Sequence, residues 1–216
     1  MEIIVIGATG MAGSAIVQEA IKRGHTVTGI ARSAKELAQL AAANPDLKTV
    51  AADVFALPET TFAGADVIVD AFATDPAHAY RHVDLATRLV AMFRETTKPR
   101  LVFILGAGSL QTGTDRHLLV EDLRKLPQSE SFIAIPGNQY IELQFLETVT
   151  NVDWVGISPS QTFTAGPATE ALLGTDTLLH NAAGKSETTS GTMAVTVLNE
   201  IEKPAHRNTR FTVANQ

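Results

Sequence analysis

The chain has 216 residues with 17 Lys and Arg against 23 Asp and Glu, so its formal net charge is −6 and basic residues never cluster. This balance disfavours binding to nucleic acid, and the absence of cysteine excludes disulfides, thiolate metal sites and cysteine nucleophiles. With 45% hydrophobic and 19% charged residues, the chain can bury a substantial core, and we expect one domain over residues 1–216.

The N-terminal segment begins with an acidic residue at position 2, where a signal peptide would carry positive charge. Only four apolar residues follow before a glycine, and no apolar stretch approaches the roughly 20 residues needed to cross a bilayer. We therefore expect a cytoplasmic protein without a membrane partner.

Short runs rich in valine and isoleucine alternate with segments of helical spacing. The predicted strands are residues 3–6, 27–31, 49–52, 67–71, 101–105 and 154–157, and the first crossover helices are 11–23 and 77–95. This alternation is typical of a parallel sheet covered by helices on both faces, so the sequence predicts a doubly wound, mainly parallel α/β fold.

The last third of the chain changes in composition. Residues 158–190 are rich in proline, glycine, threonine and serine, which predicts a small C-terminal region of loops and short elements that caps the substrate side. A final helix over 192–202 and a closing strand over 210–214 follow.

A glycine-rich segment directly follows the first predicted strand and opens the first predicted helix. Its three glycines suit a tight turn, the approach of a pyrophosphate to bare backbone, and close packing of helix on strand. The helix N-terminus adds free N–H groups and a partial positive charge. A merely structural turn is the weaker alternative to a dinucleotide site. The predicted binding residues are Gly7, Thr9, Gly10, Met11, Ala12 and Gly13.

The end of the second predicted strand bears on the choice of cofactor. A site for NAD usually has an acidic residue there, whereas this chain has Arg32, which can pair with the 2′-phosphate of NADP. We therefore predict NADP as the cofactor, with NAD as the alternative. Asp53, after the third predicted strand, either contacts the adenine or forms a turn. Ala71 and Phe72, at the end of the fourth, are also placed in the cofactor site.

Four segments, which together extend over nearly the whole chain, carry a family resemblance. They are Gly-Ala-Thr-Gly-Met-Ala-Gly at 7–13, Gly-Ala-Gly-Ser-Leu at 106–110, Asp-Trp followed by Ile-Ser-Pro-Ser within 153–160, and Asn-Glu-Ile-Glu-Lys-Pro at 199–204. The chain resembles the atypical short-chain dehydrogenase/reductase group, and within it the NmrA-like and biliverdin-reductase-B-like family, often labelled NADH-flavin reductase. The resemblance implies a Rossmann-type fold, a nicotinamide cofactor and a small or flat acceptor such as a flavin or quinone.

The Tyr-x-x-x-Lys pair of typical short-chain dehydrogenases is absent. The residue four positions after Tyr140 is Gln144, and the residue four positions after Tyr80 is Asp84. In the usual pair, the lysine lowers the tyrosine pKa so that the phenol can exchange a proton with a carbonyl or alcohol. Its absence disfavours alcohol oxidation and favours an acceptor whose ring delocalises the added electrons.

Further candidates follow the fifth and sixth predicted strands, because open α/β sheets bind ligands at the carboxyl ends of their strands. Gly106 is assigned to the cofactor, and Ser109 either donates a hydrogen bond to the nicotinamide or acceptor, or caps a loop. Tyr140 either faces the same cleft as a catalytic residue or packs in the interior. Residues predicted to contact cofactor or substrate after the sixth strand are Ser158, Pro159 and Ser160.

Other chemistries have weaker support. His78 and His82 stand four apart on a predicted helix, but no third ligand accompanies them, so we expect an exposed pair and predict no metal. No Gly-x-Ser-x-Gly segment is present, which disfavours hydrolase chemistry.

Three functions are left open by the sequence. The favoured one is an NAD(P)H-dependent oxidoreductase that passes hydride to a flavin, quinone or similar flat small molecule, as a monomer or homodimer. The second is a non-catalytic NAD(P)-binding module of the NmrA-like type that senses redox state through a partner protein. The third, an epimerase or dehydratase for sugar nucleotides, is weakened by the missing lysine and the short C-terminal region.

Overall fold

Strands and helices alternate in the computed structural model, which describes residues 1–216. The strands are β1 (Glu2–Ile6), β2 (Thr26–Ala31), β3 (Lys48–Ala51), β4 (Val67–Asp70), β5 (Arg100–Ile104), β6 (Gln111–Thr112), β7 (His117–Leu118), β8 (Trp154–Pro159), β9 (Thr162–Thr164), β10 (Ala171–Gly174), β11 (Glu187–Thr189) and β12 (Thr209–Asn215). The helices are α1 (Met11–Lys22), α2 (Ala34–Ala43), α3 (Arg81–Phe93), α4 (Leu119–Lys125), α5 (Ala134–Glu147) and α6 (Ser190–Glu202).

Eight strands form the central sheet in the order β10-β12-β8-β5-β4-β1-β2-β3. All neighbours are parallel except β10, which pairs antiparallel with β12 at one edge. The chain moves outward from β1 to β3 and then returns to β4 on the other side of β1, so the strand order reverses between β1 and β4. This topology confirms the Rossmann-type, doubly wound fold.

The central strands β1, β4, β5 and β8 are buried on both faces, which explains why they are apolar along most of their length. Successive residues of a strand point to opposite faces. Ile3 and Val5 accordingly join one apolar cluster with α1 and α6, whereas Ile4 and Ile6 join a second cluster with α3 and α5. The two clusters hold helices against both faces of the sheet.

Several boundaries differ from the sequence prediction. Helix α3 begins at Arg81, because residues Pro76–His78 form a separate 3₁₀ turn. Helix α2, which the sequence analysis did not assign, is capped by the Ser33 hydroxyl, which accepts a hydrogen bond from the Glu36 N–H. The predicted cap over 158–190 contains a two-stranded parallel sheet of β9 and β11, and β10 extends the central sheet.

None of the helices is both long enough and apolar enough to span a membrane.

A buried ion pair joins the central sheet to the last helix. Arg100, at the start of β5, donates from Nη2 to the Glu200 carboxylate at 2.8 Å and from Nη1 to the Glu200 carbonyl at 2.9 Å. The same carboxylate accepts hydrogen bonds from the backbone N–H of Ala205 and His206. Both charged side chains are buried, so each depends on the other for compensation of its lost hydration.

We expect Arg100→Ala to lower the free energy of unfolding by about 3 to 5 kcal/mol, because it leaves the Glu200 carboxylate buried without its cation. Urea denaturation measures this loss. The matched control is Arg207→Ala, since Arg207 is exposed and lies 3.7 Å from Asp153, and its removal should cost at most about 1 kcal/mol. Equal losses of unfolding free energy in the two variants would show that the buried Arg100–Glu200 pair does not stabilise the fold more than an exposed contact.

Candidate functional site

A cleft lies at the carboxyl ends of the central strands and crosses the point between β1 and β4 where the strand order reverses. The first lobe has a volume of about 600 Å³ and is bounded by residues that follow β1, β2, β3 and β4. The second lobe, of about 320 Å³, is bounded by residues that follow β4, β5 and β8 and by α5. The two lobes share four lining residues: Gly10, Ala71, Phe72 and Ala73. Open α/β sheets bind their ligands at such a switch point.

The glycine turn after β1 forms the floor of this cleft. Gly7 has a φ of +74°, and a Cβ atom there would stand 2.3 Å from the Ala71 carbonyl oxygen. A Cβ atom at Gly13 would stand 2.1 Å from the Gly7 carbonyl oxygen. At Gly10, by contrast, a Cβ atom would have only the Gly7 carbonyl oxygen as a neighbour, at 3.2 Å. Gly7 and Gly13 therefore permit close packing, whereas Gly10 leaves bare backbone at the junction of the two lobes.

The N-terminus of α1 points its free donors to the same place. No side chain caps this helix, and its first turn contains no acidic residue. The backbone N–H groups of Met11, Ala12 and Gly13 donate to no other group of the protein. Such a helix end, next to the bare backbone of Gly10, suits a pyrophosphate.

Three charged side chains line the first lobe: Arg32 after β2, Glu36 on α2 and Asp53 after β3. Arg32 is exposed and lines the lobe, and its guanidinium makes no hydrogen bond or ion pair. Asp53 also lines the lobe, where its carboxylate accepts hydrogen bonds from the Phe55 N–H at 3.1 Å and from Arg81 at 3.0 Å. The hydrogen bond from Phe55, followed by the contact with Arg81, lowers the pKa of Asp53. Asp53 therefore forms a turn, and its predicted adenine contact remains a prediction.

The second lobe has mainly apolar walls, with Ile104, Leu105, Ile135 and Phe163 among its lining residues. It also has a small set of polar side chains, and His82 is the one titratable residue among them. These polar residues are Thr74, His82, Gln139, Ser160 and Gln161.

The structure brings most of the predicted site residues to the cleft. Those that line it are Gly7, Thr9, Gly10, Met11, Ala12, Arg32, Asp53, Ala71, Phe72, Gly106, Pro159 and Ser160. Gly13 packs beneath the turn, as described above. Their contacts with a cofactor stay predictions.

Besides Gly13, three predicted residues are not among those that line either lobe. Ser109 is buried at the end of a 3₁₀ turn, and its carbonyl oxygen accepts a hydrogen bond from Arg210. Ser158 is fully buried, and its carbonyl oxygen accepts a hydrogen bond from the Thr212 hydroxyl. Tyr140 is half-buried on α5. This placement lends no support to a catalytic role for Ser109 or Tyr140.

A buried group of titratable side chains lies behind the second lobe. His82 is 5% exposed, Glu142 3% and Asp70 6%. Burial lowers the pKa of His82 to about 4 and raises that of Asp70 to about 7. Burial, with the added charge of Asp70, raises the pKa of Glu142 well above its ordinary value. Burial therefore favours the neutral form of His82 and the protonated form of Glu142.

The prediction that His78 and His82 form an exposed pair was wrong for His82. Because the 3₁₀ turn ends before α3 begins, the two histidines do not share one exposed helix face. His78 is exposed and contacts the Asp75 carboxylate at 2.9 Å, whereas His82 is buried edge-on against the Phe72 ring.

Residues 7–204 match the sequence model of a family described as NAD(P)H-binding. The chain belongs to this NAD(P)H-binding family. Membership agrees with the resemblance to atypical short-chain dehydrogenases that the four sequence segments carry.

Three similar proteins extend over the whole chain. YwnB of Bacillus subtilis, an uncharacterized protein, is 33% identical over 218 residues, which cover 100% of this chain and 99% of YwnB. A crystal structure of a Lactobacillus casei protein is 38% identical and superposes with a TM-score of 0.91, covering 100% of this chain and 99% of that one. A Streptococcus pneumoniae protein named as a "putative NADH-flavin reductase" is 29% identical, with a TM-score of 0.86 and full coverage of both chains.

We expect Gly10→Val to abolish nucleotide binding in a folded protein, because the branched side chain would occupy the bare backbone surface at the junction of the lobes. Calorimetric titration with NADPH measures the loss, and circular dichroism checks the fold. Gly137→Val on α5 is the control, since a Cβ atom there has no neighbour within 4 Å and the residue does not line the cleft. Unchanged affinity in folded Gly10→Val would rule out this position for the pyrophosphate.

Proposed function

We propose that the protein is an NAD(P)H-dependent reductase that prefers NADPH and reduces a flat small molecule, such as a flavin or quinone. The observation that carries this proposal is the two-lobed cleft. A lobe that contains charged side chains and a lobe without Asp, Glu, Lys or Arg meet over Gly10 and the uncapped N-terminus of α1.

The chain's residues fit a dinucleotide in one orientation. Gly10 and the free N–H groups at the start of α1 would hold the pyrophosphate, since they offer donors and no competing acid. Residues of the first lobe would hold the adenosine end, and those of the second lobe the nicotinamide end. When bound, the reduced cofactor would supply the hydride.

The second lobe suits an acceptor that is flat and uncharged. Its apolar walls would exclude water from the transferred hydride and stack against a ring system. A flavin or quinone delocalises the added electrons, so the site can operate without a Tyr-Lys pair by holding the reactants at the correct distance. The name of the Streptococcus pneumoniae neighbour supports this class of acceptor.

The preference for NADPH rests on Arg32. Its guanidinium has no partner within the protein and lies beside the first lobe, where the adenosine ribose would bind. A 2′-phosphate would accept two charge-assisted hydrogen bonds from this guanidinium in a bidentate pair.

Arg32→Ala should weaken NADPH binding by about 1.5 to 3 kcal/mol, because one charge-assisted contact is lost, while NADH binding changes little. The ratio of the two dissociation constants is the measurement. Lys35→Ala removes a neighbouring exposed positive charge that does not line the lobe, and it should leave this ratio unchanged. Equal losses for both cofactors in Arg32→Ala would show that Arg32 does not bind the 2′-phosphate.

The activity itself is tested by NADPH oxidation with a panel of flavins and quinones. Turnover that depends on the added acceptor supports the reductase. Tight NADPH binding without turnover by any acceptor would instead favour the non-catalytic redox-sensing module.

Tyr140→Phe separates this mechanism from that of typical short-chain dehydrogenases. We expect kcat for quinone reduction to fall by less than about tenfold, because general acid–base catalysis contributes about 10²- to 10⁴-fold where it operates. Steady-state kinetics with the wild-type protein as reference measures the change. A thousandfold loss of kcat would show instead that Tyr140 transfers a proton, as the tyrosine of typical short-chain dehydrogenases does.

A further inference from the structure

His82, Glu142 and Asp70 form a buried group that the dinucleotide site does not use. His82 borders the second lobe, and its Nδ1 atom lies 4.0 Å from the Glu142 Oε2 atom on α5. Asp70, at the end of β4, accepts a hydrogen bond from the Phe72 N–H at 3.0 Å. The Nε2 atom of His82 and the Oε2 atom of Glu142 are buried and have no hydrogen-bond partner. Unsatisfied buried atoms are rare in proteins because they cost stability, so both atoms require an explanation.

No cation pairs with the two carboxyl groups. Glu142 on α5 is the acid next to His82, and the charge of Asp70 on β4 acts on Glu142. Arg81, the neighbour of His82 on α3, instead pairs with Asp53 and lies over the Phe55 ring. Burial without a cation favours the uncharged form of each group. The surroundings therefore favour a protonated carboxyl group next to a neutral imidazole.

We propose that Glu142 and His82 deliver a proton to the acceptor in the second lobe, and that this acceptor takes up hydride as an oxygen or nitrogen anion. This proposal rests on the reductase function proposed above. His82 is the catalytic residue, because it borders the lobe, and Glu142 supplies its proton.

The step balances in atoms and charge. The acceptor gains two electrons and one hydrogen as hydride from the reduced nicotinamide, which is oxidised, and so becomes an anion. An O–H or N–H bond then forms on the acceptor as the Nε2–H bond of His82 breaks. A new Nδ1–H bond forms as the O–H bond of Glu142 breaks. Glu142 is left as a carboxylate. After the product leaves, a proton from water binds the Nε2 atom of His82, and the proton on Nδ1 returns to Glu142.

Two features of the group suit this role. A neutral His82 can relay a proton without first carrying a buried positive charge. Asp70 lies close enough to Glu142 to disfavour a second negative charge. Glu142 therefore keeps its proton until hydride transfer makes the acceptor an anion. The gap of 4.0 Å is longer than a hydrogen bond, and the Nε2 atom of His82 is buried, so binding of the acceptor must both close the gap and bring Nε2 into contact with the acceptor. Catalytic contacts are often loose without ligand and tighten when it binds.

Infrared spectroscopy tests the proton store without any turnover. Asp70→Asn serves as the background, because the second buried carboxyl group would add its own absorption at pH 7. In this background we expect a carbonyl absorption from a protonated carboxyl group that Glu142→Gln removes and that Glu147→Gln, at an exposed acid on the same helix, retains. An absorption that persists when Glu142→Gln is added, or that is absent from the Asp70→Asn protein, would overturn the proposal.

Single-turnover oxidation of NADPH by a quinone tests the delivery. We expect His82→Gln and Glu142→Gln to slow the reaction by about a hundredfold or more and to abolish the wild-type solvent isotope effect. NADPH affinity should be unchanged in Glu142→Gln, because Glu142 does not line the lobe. His78→Gln, at the exposed histidine, is the control. Glu142→Gln preserves the shape and volume of the side chain, so this variant still tests proton delivery if His82→Gln does not fold.

The outcomes separate the two proposals. A wild-type protein that reduces the quinone while both variants lose less than about tenfold in rate would overturn proton delivery alone. A wild-type protein that binds NADPH but reduces no acceptor would overturn the reductase function, and proton delivery with it.

Discussion

The close approach of the Ala71 carbonyl to the backbone of Gly7 is the constraint on which the cleft depends. A side chain at Gly7 would collide with that carbonyl, and one at Gly13 would collide with the carbonyl of Gly7. Because both positions lack a Cβ atom, α1 can begin directly at the strand switch point with its N–H groups free. Gly10 then lies between the two lobes as bare backbone, so a ligand that fills both must pass over it.

Burial of the sheet on both faces determines the chemistry at its carboxyl edge. The central strands β1, β4, β5 and β8 are apolar along most of their length, and polar groups begin near their carboxyl ends. Asp70 is the last residue of β4, so its carboxyl group is surrounded by the same apolar layers that stabilise the sheet. A charge there is costly, and Asp70 and Glu142 retain protons at a pH where exposed carboxyl groups are ionised. The packing that stabilises the fold therefore also produces protonated acids beside the second lobe.

The sequence predicted the features that depend on local signals. Apolar runs identify β1, β2, β4, β5 and β8, and the glycine spacing identifies the turn before α1. The environment of His82 is different, because it depends on a 3₁₀ turn that delays the start of α3 and on Glu142, which lies 60 positions further along the chain. Nothing in the sequence near His82 indicates that partner. Ser109 was predicted from its place after a strand, but the 3₁₀ turn over Ala107–Ser109 places it among buried residues instead.

The distribution of charge between the lobes narrows the class of molecule that the second lobe can accept. Arg32 provides a free guanidinium to the first lobe, whereas no lysine or arginine lines the second. A sugar nucleotide in the second lobe would bring a diphosphate, which needs cationic or N–H donors, and the free N–H groups at the start of α1 serve one pyrophosphate only. An uncharged ring system needs no such partners, and it gains from contact with the apolar walls and from a neutral proton donor. The absence of Lys and Arg from the second lobe therefore agrees with the proposed quinone-like or flavin-like acceptor better than with a phosphorylated sugar.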